Sequence, residues 1–490
     1  MIANKDQLTL SDIYSECQEI LENDKPKFLS LLEQYINLGE IIPSSFYPHF
    51  YSWTGRPREY PLHGFLWALI IQKIFTIPRD ELLLTFLHYS KELRDFCGFD
   101  KVPDASKITR FKQDFIADLQ LVFERLVDIT EPICQIIEHA KADMTIFESS
   151  GIEAYVTENN PRFADRIIRQ MKSWAKAMKF DESFDPYKSA YASMPSCAHA
   201  NPEIKQQYIN SHFCYAYKFG LATNGLGIVR HIEFYDKDFF AAHPDIVLEK
   251  KSDSPDEDKS AHDTKLVIPT LQNFFAAHPL LTPKTFLGDS AFDSVGLYKD
   301  LLTGDTFGEN RHFSEAYIPL NPRAGLENTD YTVDENGIPC CPNDPSLPMK
   351  AENTSRLRSG VLRFKFVCPK MKWIMCDDGK DHRRTLCDNP CTDSPCGRMV
   401  YIYPEKDLRA FPGTIRGTAD WDNTYKVRTA VERSIGHFKH SFSLADRQTQ
   451  NAKTLRADLL LAGIAQLFTV LLADKLHRRE LFRSVKSLVA

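Results

Sequence analysis

The sequence predicts an α/β protein: an all-helical N-terminal domain, an α/β core, and a late β-containing module rich in cysteine. Three observations predict it. From Asp6 to about Pro132 the chain carries helix-capping candidates and apolar residues at helical spacing, with Pro57, Pro61, Pro78 and Pro103 as breaks. Between Ala142 and Phe292 short β-favouring runs alternate with helical stretches. From about 323 to 415, turn-forming residues separate short strands, and seven of the twelve cysteines fall there.

Composition narrows the class. With 490 residues, 43% hydrophobic and 26% charged, the chain is long enough for two to four globular domains. Met1 to Leu10 is polar, with no apolar core behind a basic start, so a cytoplasmic protein without a signal peptide is expected. The longest apolar run, Leu459 to Ala473, spans 15 residues and contains Gln466. That is short of the roughly 18 to 20 residues of a membrane span, so it reads as a buried helix and no membrane partner is expected. Cysteines in such a chain point to reduced thiols and, where clustered, to metal rather than disulfides. A formal net charge of −6 argues against coating nucleic acid over the whole surface, so any DNA contact must be local.

The elements follow in order. Ser11 is a capping candidate before the first helical run, and Leu62 to Phe75 reads as a long amphipathic helix. In 98–115, Ser106 is a candidate N-cap, followed by Lys107, Arg110 and Lys112, which suits either a recognition helix or an exposed helix end. Ala142 to Val156 reads as a strand entering a Ser-Ser-Gly turn and carries Glu148. On the helix predicted from Asn160 to Phe180, Arg166, Arg169, Lys172 and Lys176 form a basic stripe about 120° wide, either a solvated face or a phosphate contact. Residues 211–235 make the clearest hairpin, turning at Thr223 to Gly227. Lys250 to Asp263 reads as an exposed acidic loop before a helix at about 264–277.

Lys284 to Phe292 is a short strand ending at Gly288-Asp289-Ser290, where α/β folds place ligands, and a helix from Asp293 to Leu302 should follow. The module at 323–415 holds the strands LRFKFV and RMVYIY and Cys340, Cys341, Cys368, Cys376, Cys387, Cys391 and Cys396. Thiolates this dense can close a structural Zn²⁺ site; Cys368, Cys387, Cys391 and Cys396 are the candidate ligands, with His382 offering a nitrogen. Free thiols in a small β module are the alternative, since no pair has CxxC spacing. Asn451 to Leu481 is a long apolar helix with a basic tail that closes the core or meets a partner subunit.

One stretch organises the rest. Tyr425, Arg428, Glu432 and Lys439 follow at gaps of 3, 4 and 7, so on a regular helix they share a stripe roughly 60° wide. Val431, Ile435, Phe438 and Phe442 form an apolar stripe about 80° round the same helix. Taken alone, Arg428 and Glu432 could be a surface pair worth a few tenths of a kcal/mol.

The four residues also match, without a gap, the Tyr, Arg, Glu and Lys signature of bacterial insertion-sequence transposases, which this chain resembles over about 45–475. The resemblance implies a ribonuclease-H-like mixed-sheet core whose Asp, Asp, Glu triad binds metal, with Glu432 as its last member and Asp289 as its second. In the first position the family has Asp followed by two small hydroxyl residues and Gly. Here Glu148-Ser149-Ser150-Gly151 stands there, with Asp143 as the alternative acid. The spacing of 143 residues between Asp289 and Glu432 fits the insertion common in the family. The implied domains are a helical DNA-binding domain at 1–135, catalytic sequence at 136–322, the insertion at 323–415, and the last catalytic and C-terminal helices at 416–490.

On this reading Glu148, Asp289 and Glu432 hold Mg²⁺ or Mn²⁺ for DNA strand cleavage and transfer. Arg428 and Lys439 hold phosphates, and Tyr425 positions a phosphate or flanking base. Lys107, Arg110, Arg166, Arg169, Lys172 and Lys176 meet double-stranded DNA, the element ends and target, and a homodimer forms in the DNA complex. Two rivals are a metal-dependent nuclease of the same fold and, because of Glu148, a non-catalytic DNA-binding copy.

Overall fold

The computed structural model describes residues 27–52, 55–181, 183–209, 212–246, 260–309, 311–321, 331–356, 362–377, 379–403 and 408–484; the capping candidate Ser11 lies outside them. The chain divides into two compact units, one of Met1–Ile137, Gly151–Tyr217 and Ile435–Ala490, the other of Glu138–Ser150 and Lys218–Ser434.

The first unit is built on helices. Leu62–Ile74 is not amphipathic as its pattern suggested, because all of its residues except His63 are buried. Its polar residues find partners outside the helix. Gln72 donates to Asp80 (2.9 Å), and Lys73 pairs with Asp458 (2.9 Å). Asp458 belongs to the helix Ala452–Lys475, capped by Asn451, whose side chain accepts from the Thr454 N–H. That helix is long and apolar enough by length and composition to cross a membrane, yet 94% of its apolar window is buried inside the protein, as the sequence reading expected of a core helix.

Lys112 corrects another reading. It lies on the helix Ala105–Asp114, whose N-cap is Asp104 rather than Ser106, since Asp104 accepts the Ser106 N–H. Its ammonium is fully buried between Asp80 (2.8 Å) and Asp458 (2.9 Å), so it is no surface cation. Arg447 completes the cluster, reaching Asp80 at 3.0 Å and Asp458 at 2.8 Å. Three cations thus surround one buried carboxylate, Asp458, and one half-buried one, Asp80, an arrangement that avoids an isolated buried charge.

The second unit holds most of a mixed sheet. Strand β1 (Met144–Glu153) begins in it, beyond a helix, Ile116–Ala142, that bends at Glu138 as the chain enters this unit. Strand β2 (Lys205–Ile209) lies in the first unit and pairs antiparallel with the first half of β3 (His212–Thr223). The second half of β3 turns back through Asn224 to Gly227 into β4 (Val229–Phe234), the expected hairpin. With β5 (Thr285–Leu287) and β6 (Glu315–Tyr317), the order in this unit is β4-β3-β1-β5-β6, with β1, β5 and β6 parallel.

The helices Asp263–Ala277 and Val295–Leu302 supply Leu271, Phe274, Tyr298 and Leu301 to a core completed by Phe147, Phe286 and Phe313. Strand alternation puts Phe147 into that core and turns its neighbour Glu148 to the other face. The cysteine-rich module then adds β7 (Cys340–Cys341), β8 (Asp344–Pro348), β9 (Lys350–Arg356), β10 (Leu362–Val367), β11 (Met371–Met375), β12 (Asp381–Thr385) and β13 (Met399–Ile402), paired as hairpins and a three-stranded sheet. After it, Arg409 grips buried Asp293 (2.7 Å), and Arg416 donates to Ile318 O and the Tyr298 hydroxyl. Those bonds return the chain to the core before the helix Ala419–Tyr425.

Candidate active site

Register brings the first two acids together. Ile146 pairs with Leu287 across parallel β1 and β5, and two residues further along each chain Glu148 and Asp289 come close enough for the Asp289 charge to act on the Glu148 carboxyl. Asp289 follows the end of β5 and accepts from the Ser290 N–H and hydroxyl. Asp143 immediately precedes β1, five residues before Glu148 and roughly 16 Å from it along the strand. There its carboxylate faces Lys284 (3.6 Å).

The third acid arrives on a helix. The run from Ala419 to Ser441 is helical but changes gauge, with a tight turn at Lys426–Arg428, an α-helix at Thr429–Gly436 and a wide π turn at His437–Ser441. Gly227 in the β3–β4 turn packs on this helix: a Cβ there would come within 3.1 Å of the Ala430 carbonyl oxygen. Val431, Ile435, Phe438 and Phe442 are all buried, as their spacing implied.

Arg428 sits among the acids. It donates to Glu148 (3.2 Å) and to Glu432 (2.6 Å), its partner one turn along the helix. A fourth carboxylate stands near. Asp263 accepts from the Ser149 hydroxyl (2.5 Å) and pairs with Lys218 (2.8 Å). Burial, then Asp263, push the Glu148 carboxyl up to about 7; Arg428 opposes them, while Asp289 and Glu432 add to the rise. Burial tends to lower the Arg428 pKa, but Tyr425, Glu432, Asp289 and Glu148 together raise it. Tyr425 stacks on Trp421 (4.8 Å between ring centres), and burial raises its hydroxyl pKa.

Hence Glu148, Asp289, Glu432, Arg428 and Tyr425 meet in one neighbourhood. Four carboxylates there are met by Arg428 and Lys218, and a strongly raised carboxyl in such a cluster is a mark of a functional site. Oxygen donors carrying excess negative charge suit a hard divalent cation in chemistry. The positions are not closed around one: among the described residues no three His, Cys, Asp or Glu side chains are grouped so as to hold a metal ion as they stand. Arg428 lies between Glu148 and Glu432 instead.

Lys439 falls within the π turn. The π turn alters the angular advance per residue, and its side chain is buried, with burial lowering its pKa. The helix Pro161–Met178 has no buried residue, and Arg166, Arg169, Lys172 and Lys176 are all exposed on it. Lys172 leans on Tyr187, bonding its hydroxyl at 2.7 Å. Lys107 and Arg110 are exposed and line a cleft of about 480 Å³ in the first unit with Arg56, Arg58, Phe50 and Phe115.

Residues 16–114 match the model of a transposase domain, DUF772. No curated protein matches the chain. The match contains Arg56, Arg58, Lys107 and Arg110, and supports a transposase, an enzyme acting on DNA. Sequence reading missed two parts of these sites. Arg56 and Arg58 were legible as a basic Gly-Arg-Pro-Arg turn, whereas Asp263 closes an acidic run and gives no sign that it faces Ser149.

Proposed function

We propose that the chain is a DDE-type transposase of an insertion sequence with a ribonuclease-H-like core. The observation that carries the reading is the meeting of Glu148, Asp289 and Glu432 around Arg428, from the middle of β1, the end of neighbouring β5 and a helix. The strand order β4-β3-β1-β5-β6, with an antiparallel hairpin at one side and parallel strands at the other, supports such a core. The transposase-domain match over 16–114 independently supports a transposase.

Glu148, Asp289 and Glu432 would hold Mg²⁺ or Mn²⁺, which supplies a lowered pKa for the attacking water or DNA 3′-hydroxyl and neutralises charge on the leaving oxygen. The chain's own residues do the rest. Arg428 swings from the carboxylates toward a DNA phosphate, exchanging one set of charge-assisted bonds for another. Tyr425, held by Trp421, presents its hydroxyl beside the same phosphate. Asp263 and Ser149 fix the strand next to Glu148.

Exposed cations also hold DNA. Lys107 and Arg110 with Arg56 and Arg58 form one contact, and Arg166, Arg169, Lys172 and Lys176 another. Two subunits acting on two element ends complete the reading.

The test is cleavage and end-joining of a duplex carrying the element's own terminus, with Mg²⁺ and with Mn²⁺. Glu432→Gln should lower cleavage by at least about 100-fold while binding persists. Cutting without joining of the 3′-hydroxyl end would favour a nuclease. Cutting by Glu148→Asp but not by the parent chain would identify a disabled copy, and cleavage unaffected by Glu432→Gln would sink the assignment.

A further inference from the structure

The cysteine-rich module has a small core. Met349, Phe364, Phe366, Val400, Ile402 and Phe411 form its buried cluster, while the β11–β12 hairpin leaves Trp373 and Met375 exposed. Small modules of this kind are commonly stapled by a metal or disulfides.

Four thiols lie where a staple would act. Cys341, Cys368, Cys387 and Cys391 line one cavity of about 10 Å³, room for a single water-sized sphere. They come from three segments tied by hydrogen bonds. Cys368 N–H donates to Arg398 O (3.0 Å), Leu386 N–H to Lys370 O (3.0 Å), and Thr385 N–H to Pro395 O (2.9 Å). The Asn343 amide reaches Asn389 O (3.3 Å), tying the turn after Cys341 to the loop between Cys387 and Cys391. Gly397 has φ of +75°, and a Cβ there would lie 2.9 Å from the Cys368 Cβ, so only glycine lets this loop close on that thiol.

Neighbouring cysteines are otherwise engaged. The Cys340 thiol donates to Ile338 O (3.6 Å) and the Cys376 thiol to Ile374 O (3.7 Å). Cys396 is absent from the cavity wall, which has Cys341 instead.

We propose that Cys341, Cys368, Cys387 and Cys391 close around one structural zinc ion, stapling the hairpins of the module. Four Zn–S bonds form as four S–H protons leave, giving a centre with two net negative charges. Lys370 and Arg398, which line the same cavity, offset them. The sulfurs are not gathered on one point as they stand, so closure proceeds by rotation about the Cα–Cβ bonds.

The experiment is metal analysis of the full chain purified with reductant and without chelator from zinc-containing medium. About one zinc per chain is expected, and Co²⁺ exchanged into it should give thiolate-to-metal charge-transfer absorption. Cys387→Ser should reduce zinc to below about a tenth per chain, and Cys396→Ser should retain it. A folded parent chain without zinc would overturn the proposal even if the serine variants fail to fold. So would equal zinc loss from Cys396→Ser and Cys387→Ser, or a Cys341–Cys391 disulfide in protein prepared without oxygen.

Discussion

Arg428 touches two acids that lie far apart in sequence, and its removal exposes what it balances. Arg428→Ala leaves Glu148, Asp289, Glu432 and Asp263 with less opposing charge, so the melting temperature in EDTA should fall by about 2 °C, roughly 1 kcal/mol. Mg²⁺ should then raise that temperature more in Arg428→Ala than in the parent chain, because a divalent ion takes over the neutralisation. Equal responses to Mg²⁺ would mean that Arg428 and the ion do not share a site. The Arg428 to Glu432 contact was legible, since a gap of four on a helix fixes it. Asp263 was not, because nothing local in an acidic run says which residue caps the run and faces a strand.

Among the elements, the helix Pro161–Met178 was read closely from sequence because it owes little to the interior. Asn160 caps it, Pro161 starts it, and each of its residues keeps some exposure. Arg166→Ala, Arg169→Ala and Lys176→Ala combined should therefore change stability by less than about 0.5 kcal/mol for each exposed site. If the three cations meet phosphates, the slope of log affinity against log salt for duplex DNA should shrink by roughly 2.7. An unchanged slope would return the stripe to an ordinary solvated face. Leu62–Ile74 shows the opposite case: it reads as amphipathic, yet Gln72 and Lys73 are buried, and Asp80 and Asp458 make their burial tolerable. The signature helix lies between the two, since its apolar face is buried as its spacing implied while Lys439 falls in a π turn and is buried as well, and no spacing rule announces such a turn.

At the scale of the whole molecule, the first unit is assembled from segments distant in sequence, and the cluster of Lys73, Asp80, Lys112, Arg447 and Asp458 joins them. Burial alone would raise the Asp458 carboxyl, yet Arg447, Lys112 and Lys73 bring it down from 3.8 to about 2. Asp80 behaves alike: burial raises it, and Lys112 and Arg447 outweigh burial and hold it well below the usual carboxylate range. A carboxylate whose folded pKa is depressed binds fewer protons folded than unfolded, so its contribution is whole above the unfolded value of 3.8 and is lost as pH falls toward the folded one. Acid unfolding of the first unit should accordingly steepen below about pH 4. Asp458→Asn leaves three buried cations with one carboxylate, which should cost about 3 to 5 kcal/mol at neutral pH. The same variant lacks one of the two titrating groups, so its stability should depend less on pH between about 4 and 2 than that of the parent chain. Denaturant melts at about pH 7 and pH 3.5 measure both effects, and a parallel loss of stability in the two proteins on acidification would show that the cluster does not govern the acid limit.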